Sequence, residues 1–194
     1  MHARCHAGGD GGALNGIVFI EIAKFAQSRI GEHAWREVVR LAGVPSRIYY
    51  RVADYPDDEA AALLGALAAA LNEPPDTVLE SLGEFIAPDL LRMARYWIKP
   101  EWKTLDLVAN TEETIHETLR AEGSRTDPPR LRCERTAPDE LALTYDSPRK
   151  LCRLARGIVS GIAAHYAEQV AIEEPSCMLK GDAACRLIIK CRPR

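Results

Sequence analysis

The chain has 194 residues, enough for one domain or one domain with a small appendage. Apolar residues make up 47%, enough for a sizeable core, and the formal net charge is -3. That charge leaves no basic footprint for nucleic acid, and no apolar run approaches the roughly 20 residues a membrane span needs. Six cysteines without a charged-then-apolar leader suggest a reducing, cytoplasmic setting, where thiols stay free or bind metal.

Residues 1–15 are Gly-rich, carry His2, Cys5 and His6, and read as a disordered extension. From Gly16 the apolar residues Ile17, Ile20, Ile22, Phe25 and Ile30 recur at helical spacing, and Gly31 can close that helix. Trp35 to Leu41 predicts a second helix ending at Gly43, followed by an irregular stretch to Tyr55. Asp57 and Asp58 open a third helix that runs to Leu71. A fourth, capped at Asp76 or Thr77, should kink or break at Pro88. Leu105 to Glu122 predicts one more helix, with Leu105, Val108, Ile115 and Leu119 on one stripe. After Gly123, Pro128 and Pro129 the character changes. Leu131–Arg135 and Leu141–Tyr145 read as strands, Arg149–Glu168 as a helix, and Val170–Glu173 and Cys185–Cys191 as strands. A helical part, about 16–125, is thus followed by a ββαββ part, about 126–194, and the class is α+β with an antiparallel sheet.

Three groups of residues can carry chemistry. His116 falls beside the apolar stripe of its helix. A half-buried histidine there is either a hydrogen-bonded core-edge residue or a metal ligand, and neutral imidazole is a common ligand of haem iron. Tyr145, Ser147 and Arg149 alternate through a strand end. An extended segment would turn them to one side as an anion receptor; the competing reading is a helix cap, with Ser147 as N-cap and Pro148 at the first helical position. Cys152, Cys177 and Cys185 could hold zinc if the fold gathers them, though no short Cys-x-x-Cys pair is present. Phosphate loops, zinc-protease motifs and nucleophile elbows are all missing, and the acids read as solvated surface. An enzyme is therefore not expected.

Taken together, these residues resemble the haem nitric-oxide/oxygen-binding (H-NOX) family, related to the sensor domain of soluble guanylate cyclase. The resemblance runs from Gly16-Ile17-Val18-Phe19 through Ile115-His116 and Pro128-Pro129 to Tyr145-x-Ser147-x-Arg149, and on to Cys177-x-x-x-Gly181-Asp182-x-x-Cys185. It implies a single domain over 16–194 holding haem b between the two parts. His116 would be the axial ligand, Tyr145, Ser147 and Arg149 would hold the propionates, and Pro129 would press on the porphyrin. Ile17, Leu79, Ile86 and Leu154 would form an apolar distal pocket. Oxygen-binding members place a tyrosine where this chain has Leu154, so the resemblance implies strong nitric oxide binding and weak oxygen binding. It also implies a zinc held by Cys152, Cys177 and Cys185, with Glu174 at the fourth position or Cys191 in its place. The output would lie on a separate protein, in bacteria a histidine kinase or a cyclic-di-GMP enzyme. Two other readings stay open: a zinc- and cysteine-dependent redox sensor, and a haem-less module for another apolar carboxylate.

Overall fold

The structure, a computed structural model, describes residues 12–121 and 128–193. His2, Cys5 and His6 lie outside the described residues, as does Gly123. The fold is α+β. By compactness the chain divides between Ala70 and Leu71, whereas the sequence changes character near residue 125. The helices after Leu71 group with the sheet.

In the first unit, β1 (Ala13–Asn15) pairs antiparallel with β2 (Asp54–Pro56). Three residues are too few to show alternation, so this ribbon leaves no sign in the sequence. Asn15 ends β1 by accepting the Ile17 N–H on Oδ1 at 3.0 Å, which caps α1 (Gly16–Leu41). Gly31, at φ 78 and ψ 165, leaves helical geometry, so α1 is two helical segments joined at a sharp break where Gly31 is predicted to end the first. Asp57, Asp58 and Glu59 open α2 (Asp57–Leu71), where carboxylates meet the positive end of the helix dipole. Phe19, Ile22, Leu63 and Leu67 are fully buried.

The second unit holds α3 (Pro75–Ala94), α4 (Thr104–Thr111), a π-helical turn (Glu112–His116) and α5 (Glu117–Ala121). Then come β3 (Arg130–Ala137), β4 (Glu140–Asp146), α6 (Cys152–His165), β5 (Glu168–Ser176) and β6 (Cys185–Pro193). The four strands form one antiparallel sheet in the order β3-β4-β6-β5. Leu141, Leu143, Leu187 and Ile189 pack with Leu105 and Val108 of α4 and Val159 of α6 to make its core. No described helix is long and apolar enough to cross a membrane.

Three predicted features differ. First, α3 runs unbroken through Pro88. Proline removes the donor that the Glu84 carbonyl would use. That carbonyl faces α6 instead: a Cβ built on Gly161 would lie 2.8 Å from its oxygen. Second, the helix expected from Leu105 to Glu122 is split by the π turn, which inserts an extra residue and rotates everything beyond it. Leu119 consequently leaves the apolar stripe and is 38% exposed. Third, α6 begins at Cys152, not Arg149. Residues 147–150 form a turn in which the Lys150 N–H donates to the Ser147 carbonyl at 3.0 Å. Ser147 Oγ accepts the Arg149 N–H at 3.3 Å inside that turn, so it caps the turn and not the helix.

The crossing of α3 and α6 is set by glycines. A Cβ on Gly83 would sit 2.7 Å from the Ile158 nitrogen, and one on Gly157 would sit 2.8 Å from the Glu80 carbonyl carbon. Only hydrogen fits at either point, so the two backbones lie in direct contact.

Candidate functional site

The π turn ends at His116, whose side chain is 14% exposed. Its Nδ1 lies 3.0 Å from the Pro129 carbonyl oxygen and 3.2 Å from Glu112 Oε2. Both neighbours are pure acceptors, so Nδ1 must carry the hydrogen and donate it. The tautomer follows: Nε2 keeps its lone pair. Burial lowers the His116 pKa, against the opposing pull of Glu112, which favours the neutral ring. A neutral imidazole with Nδ1 pinned and Nε2 available is the state in which histidine ligates a metal. The residues here therefore fit an axial haem ligand.

In the sequence Glu112 reads as one of many solvated surface acids, and the structure corrects this. Its side chain is 20% exposed. Besides His116 it accepts the Leu131 N–H at 2.9 Å and forms an ion pair with Arg120. The i to i+4 spacing from Glu112 to His116 was a usable signal. The Leu131 partner was not, because it depends on how β3 returns to the helix.

Tyr145 and Ser147 are both buried, at 3% exposure each, while Asp146 and Pro148 between them are exposed and Arg149 is half-buried. The trio thus keeps the alternation of an extended segment through the turn. The Tyr145 hydroxyl bonds to Ser147 and to the backbone of Leu151, and burial raises its pKa. Pro129 is half-buried and lends its carbonyl to His116. On α3, Leu79 is half-buried and Ile86 buried; on α6, Leu154 is half-buried, and its backbone is held against Gly83. Ile17 is half-buried in the first unit.

A second constellation lies at the start of α6. Cys152, Cys177, Cys185 and Glu174 present one ligand atom each, all within 4.8 Å of one another. The Cys152 and Cys177 sulfurs are 3.8 Å apart and those of Cys177 and Cys185 4.0 Å. Four ligands at zinc–sulfur bond length stand about 3.8 Å apart on a tetrahedron. Glu174 Oε1 is buried without a hydrogen-bond partner, while Oε2 is held by Arg153 at 3.0 Å. Burial pushes the Cys152 and Cys185 pKa values up, so without a cation these sulfurs keep their protons. The donor set fits a tetrahedral cation. Cys191 is not part of it: that residue belongs to the sheet core with Ile189 of β6 and Leu105 of α4, and burial raises its thiol pKa to about 11.

A family model described as Haem-NO-binding matches residues 15–174. Soluble guanylate cyclase gcy-31 of Caenorhabditis elegans is 23% identical over 138 residues, 71% of this chain and 20% of that protein. The chain thus spans a fifth of that curated relative. Among solved structures, an H-NOX protein from Shewanella oneidensis in the Fe(II)NO state superposes with a TM-score of 0.85 at 24% identity, covering 92% of this chain and 99% of that one. A triple mutant of an S. oneidensis H-NOX protein in the Fe(II) state is 26% identical, with a TM-score of 0.85 and coverages of 92% and 96%. The unliganded Fe(II) H-NOX protein of K. algicida gives 0.83 at 18% identity, covering 93% and 98%.

Proposed function

We propose that this chain, which belongs to the Haem-NO-binding family, is a nitric oxide sensor that binds haem b through His116 and regulates a separate signalling protein. The observation that carries the reading is the pinned imidazole, whose Nδ1 is engaged by Pro129 and Glu112 and whose Nε2 is left as the donor. Haem bound there would supply a ferrous iron able to take up a diatomic gas. The protein's own residues do the rest. Tyr145, Ser147 and Arg149 offer hydroxyl and guanidinium donors to the propionates. Pro129 gives a rigid apolar ring next to the ligand histidine. Leu79, Ile86, Leu154 and Ile17 offer only hydrocarbon.

Leu154 sets the gas. Bound oxygen gains from a hydrogen-bond donor in the distal pocket, and leucine has none. Nitric oxide should therefore bind and oxygen should not be retained. If nitric oxide weakened the hold of haem iron on His116, the residue would stay held by its turn and its Nδ1 partners. Its movement would pull on Pro129 and β3, giving a surface change that a partner reads. The role is sensing and not catalysis. A histidine kinase or a cyclic-di-GMP enzyme in the cytoplasm is the partner class we propose.

The cysteine cluster supports zinc as a second, structural ion. Cys152, Cys177, Cys185 and Glu174 would be its ligands, and Arg153 would orient Glu174. The same thiols favour a rival reading, a redox sensor that loses zinc on oxidation. Visible spectra of the reduced protein under nitric oxide and then air test the main proposal. A stable oxygen complex would remove the Leu154 argument, and a spectrum indifferent to His116→Gly would remove the ligand. If signalling survives Cys177→Ser with Cys185→Ser but not His116→Gly, the redox reading fails.

A further inference from the structure

We infer that Glu112 is the positioning residue of the ligand histidine, and the strut that ties it to the sheet. The inference rests on the haem reading for its spectroscopic test but on hydrogen bonding alone for its geometry. The Glu112 carboxylate accepts from three donors: Nδ1–H of His116, the Leu131 N–H and the Arg120 guanidinium. Its own backbone closes the π turn, since the Glu117 N–H donates to the Glu112 carbonyl. One residue thus shapes the turn that presents His116, orients the ring and anchors both to β3 and α5.

Chemistry explains why glutamate suits this position. An ionised carboxylate offers about four acceptor sites and no hydrogen. Glutamine would set an NH2 group among donors, and aspartate is a methylene short of the same reach. A carboxylate on Nδ1–H also draws that proton toward itself, which makes Nε2 the more basic and an iron–histidine bond the stronger. Arg120 works the other way by neutralising the same carboxylate. The Pro129 carbonyl supports the tautomer but, as a neutral acceptor, moves the basicity less.

Two variants of the full chain separate these roles. Glu112→Gln is expected to lower the iron–histidine stretching frequency in the resonance Raman spectrum of the ferrous protein. It should also speed the nitric-oxide-driven loss of that bond about tenfold. Arg120→Ala is expected to raise the same frequency, because the freed carboxylate pulls harder on Nδ1–H. A merely structural role would loosen the site in both variants and lower both frequencies, and that result, or no shift in Glu112→Gln, overturns the inference. If the wild-type chain takes up no haem, the sensor reading fails by itself. The full chain labelled with 15N-histidine then decides: the Pro129 carbonyl keeps the Nδ1–H tautomer in both proteins, the inference requires the His116 Nδ1–H proton resonance to move upfield in Glu112→Gln as the charged acceptor is lost, and an unmoved resonance overturns it.

Discussion

Gly157→Ala should cost stability, although alanine is the better helix former. Gly157 lies inside α6 against the backbone of α3, with the Glu80 carbonyl carbon 2.8 Å and the Glu84 nitrogen 3.0 Å from where a Cβ would stand. Ordinary contact between such atoms needs about 3.5–4.0 Å, and the Glu80 carbonyl oxygen lies closer still, so the helices would have to part by roughly 1–2 Å. The atoms in the way are backbone and cannot rotate aside. Overpacking of this kind costs about 1–3 kcal/mol, and a backbone collision belongs at the upper end. Alanine returns about 1 kcal/mol in helix propensity. The balance, about 2 kcal/mol, lowers the Tm of a chain this size by about 4–8 °C. Gly65→Ala is the control. That glycine is helical and exposed, with nothing within 4 Å of a built Cβ, so only the propensity gain applies and Tm should rise by about 1–4 °C. Thermal melts followed by far-ultraviolet circular dichroism read both. If Gly157→Ala melts at or above the wild type while Gly65→Ala rises as stated, the close-contact account of the α3–α6 crossing is wrong.

Leu154→Tyr should give the ferrous protein a retained oxygen complex, visible as a shifted Soret band in air; an unchanged spectrum would argue against Leu154 as the gas-setting position. In haem-free protein, the His116 pKa is lowered from 6.5 by burial, so below that value the unfolded chain binds a proton that the folded chain refuses. The stability present above about pH 6.5 is therefore lost as pH falls toward the folded value. Urea midpoints at about pH 7.5 and about pH 5.5 should differ less in His116→Gln than in the wild type. Cys177→Ser should reduce zinc retained after dialysis to well under one ion per chain by elemental analysis, and equal zinc in both proteins would refute the tetrahedral set. Arg149→Ala should weaken haem retention, measured by transfer to apomyoglobin, and an unaltered transfer rate would exclude Arg149 as a propionate partner.

What the sequence disclosed depended on the range of the interaction. Helical faces such as Ile17 to Phe25 are local patterns with the period of the structure, and they emerge directly. So do α2, opened by three acids, and the alternation of Tyr145, Ser147 and Arg149. The π turn does not emerge, because one inserted residue inside an apolar stripe looks like ordinary scatter until Leu119 is found facing solvent. The glycines of the α3–α6 crossing look like weak helix positions for the same reason, since their purpose lies on the other helix.

The two carboxylates show the limit best. Apart from the Glu112–His116 spacing and the family resemblance that points to Glu174, Glu112 and Glu174 read in the sequence like the exposed Glu32 and Glu37, whose partners Arg36 and Arg40 lie three or four residues away. What sets them apart is donors supplied from afar: the Leu131 N–H from β3 for Glu112, and Arg153 from α6 for Glu174. An acid becomes part of a site when the fold brings hydrogen-bond donors or thiols to it. The Glu174 side chain is then buried with one oxygen held by Arg153 and the other without a hydrogen-bond partner among the described residues, beside three cysteine sulfurs, an arrangement that costs stability unless a cation completes it.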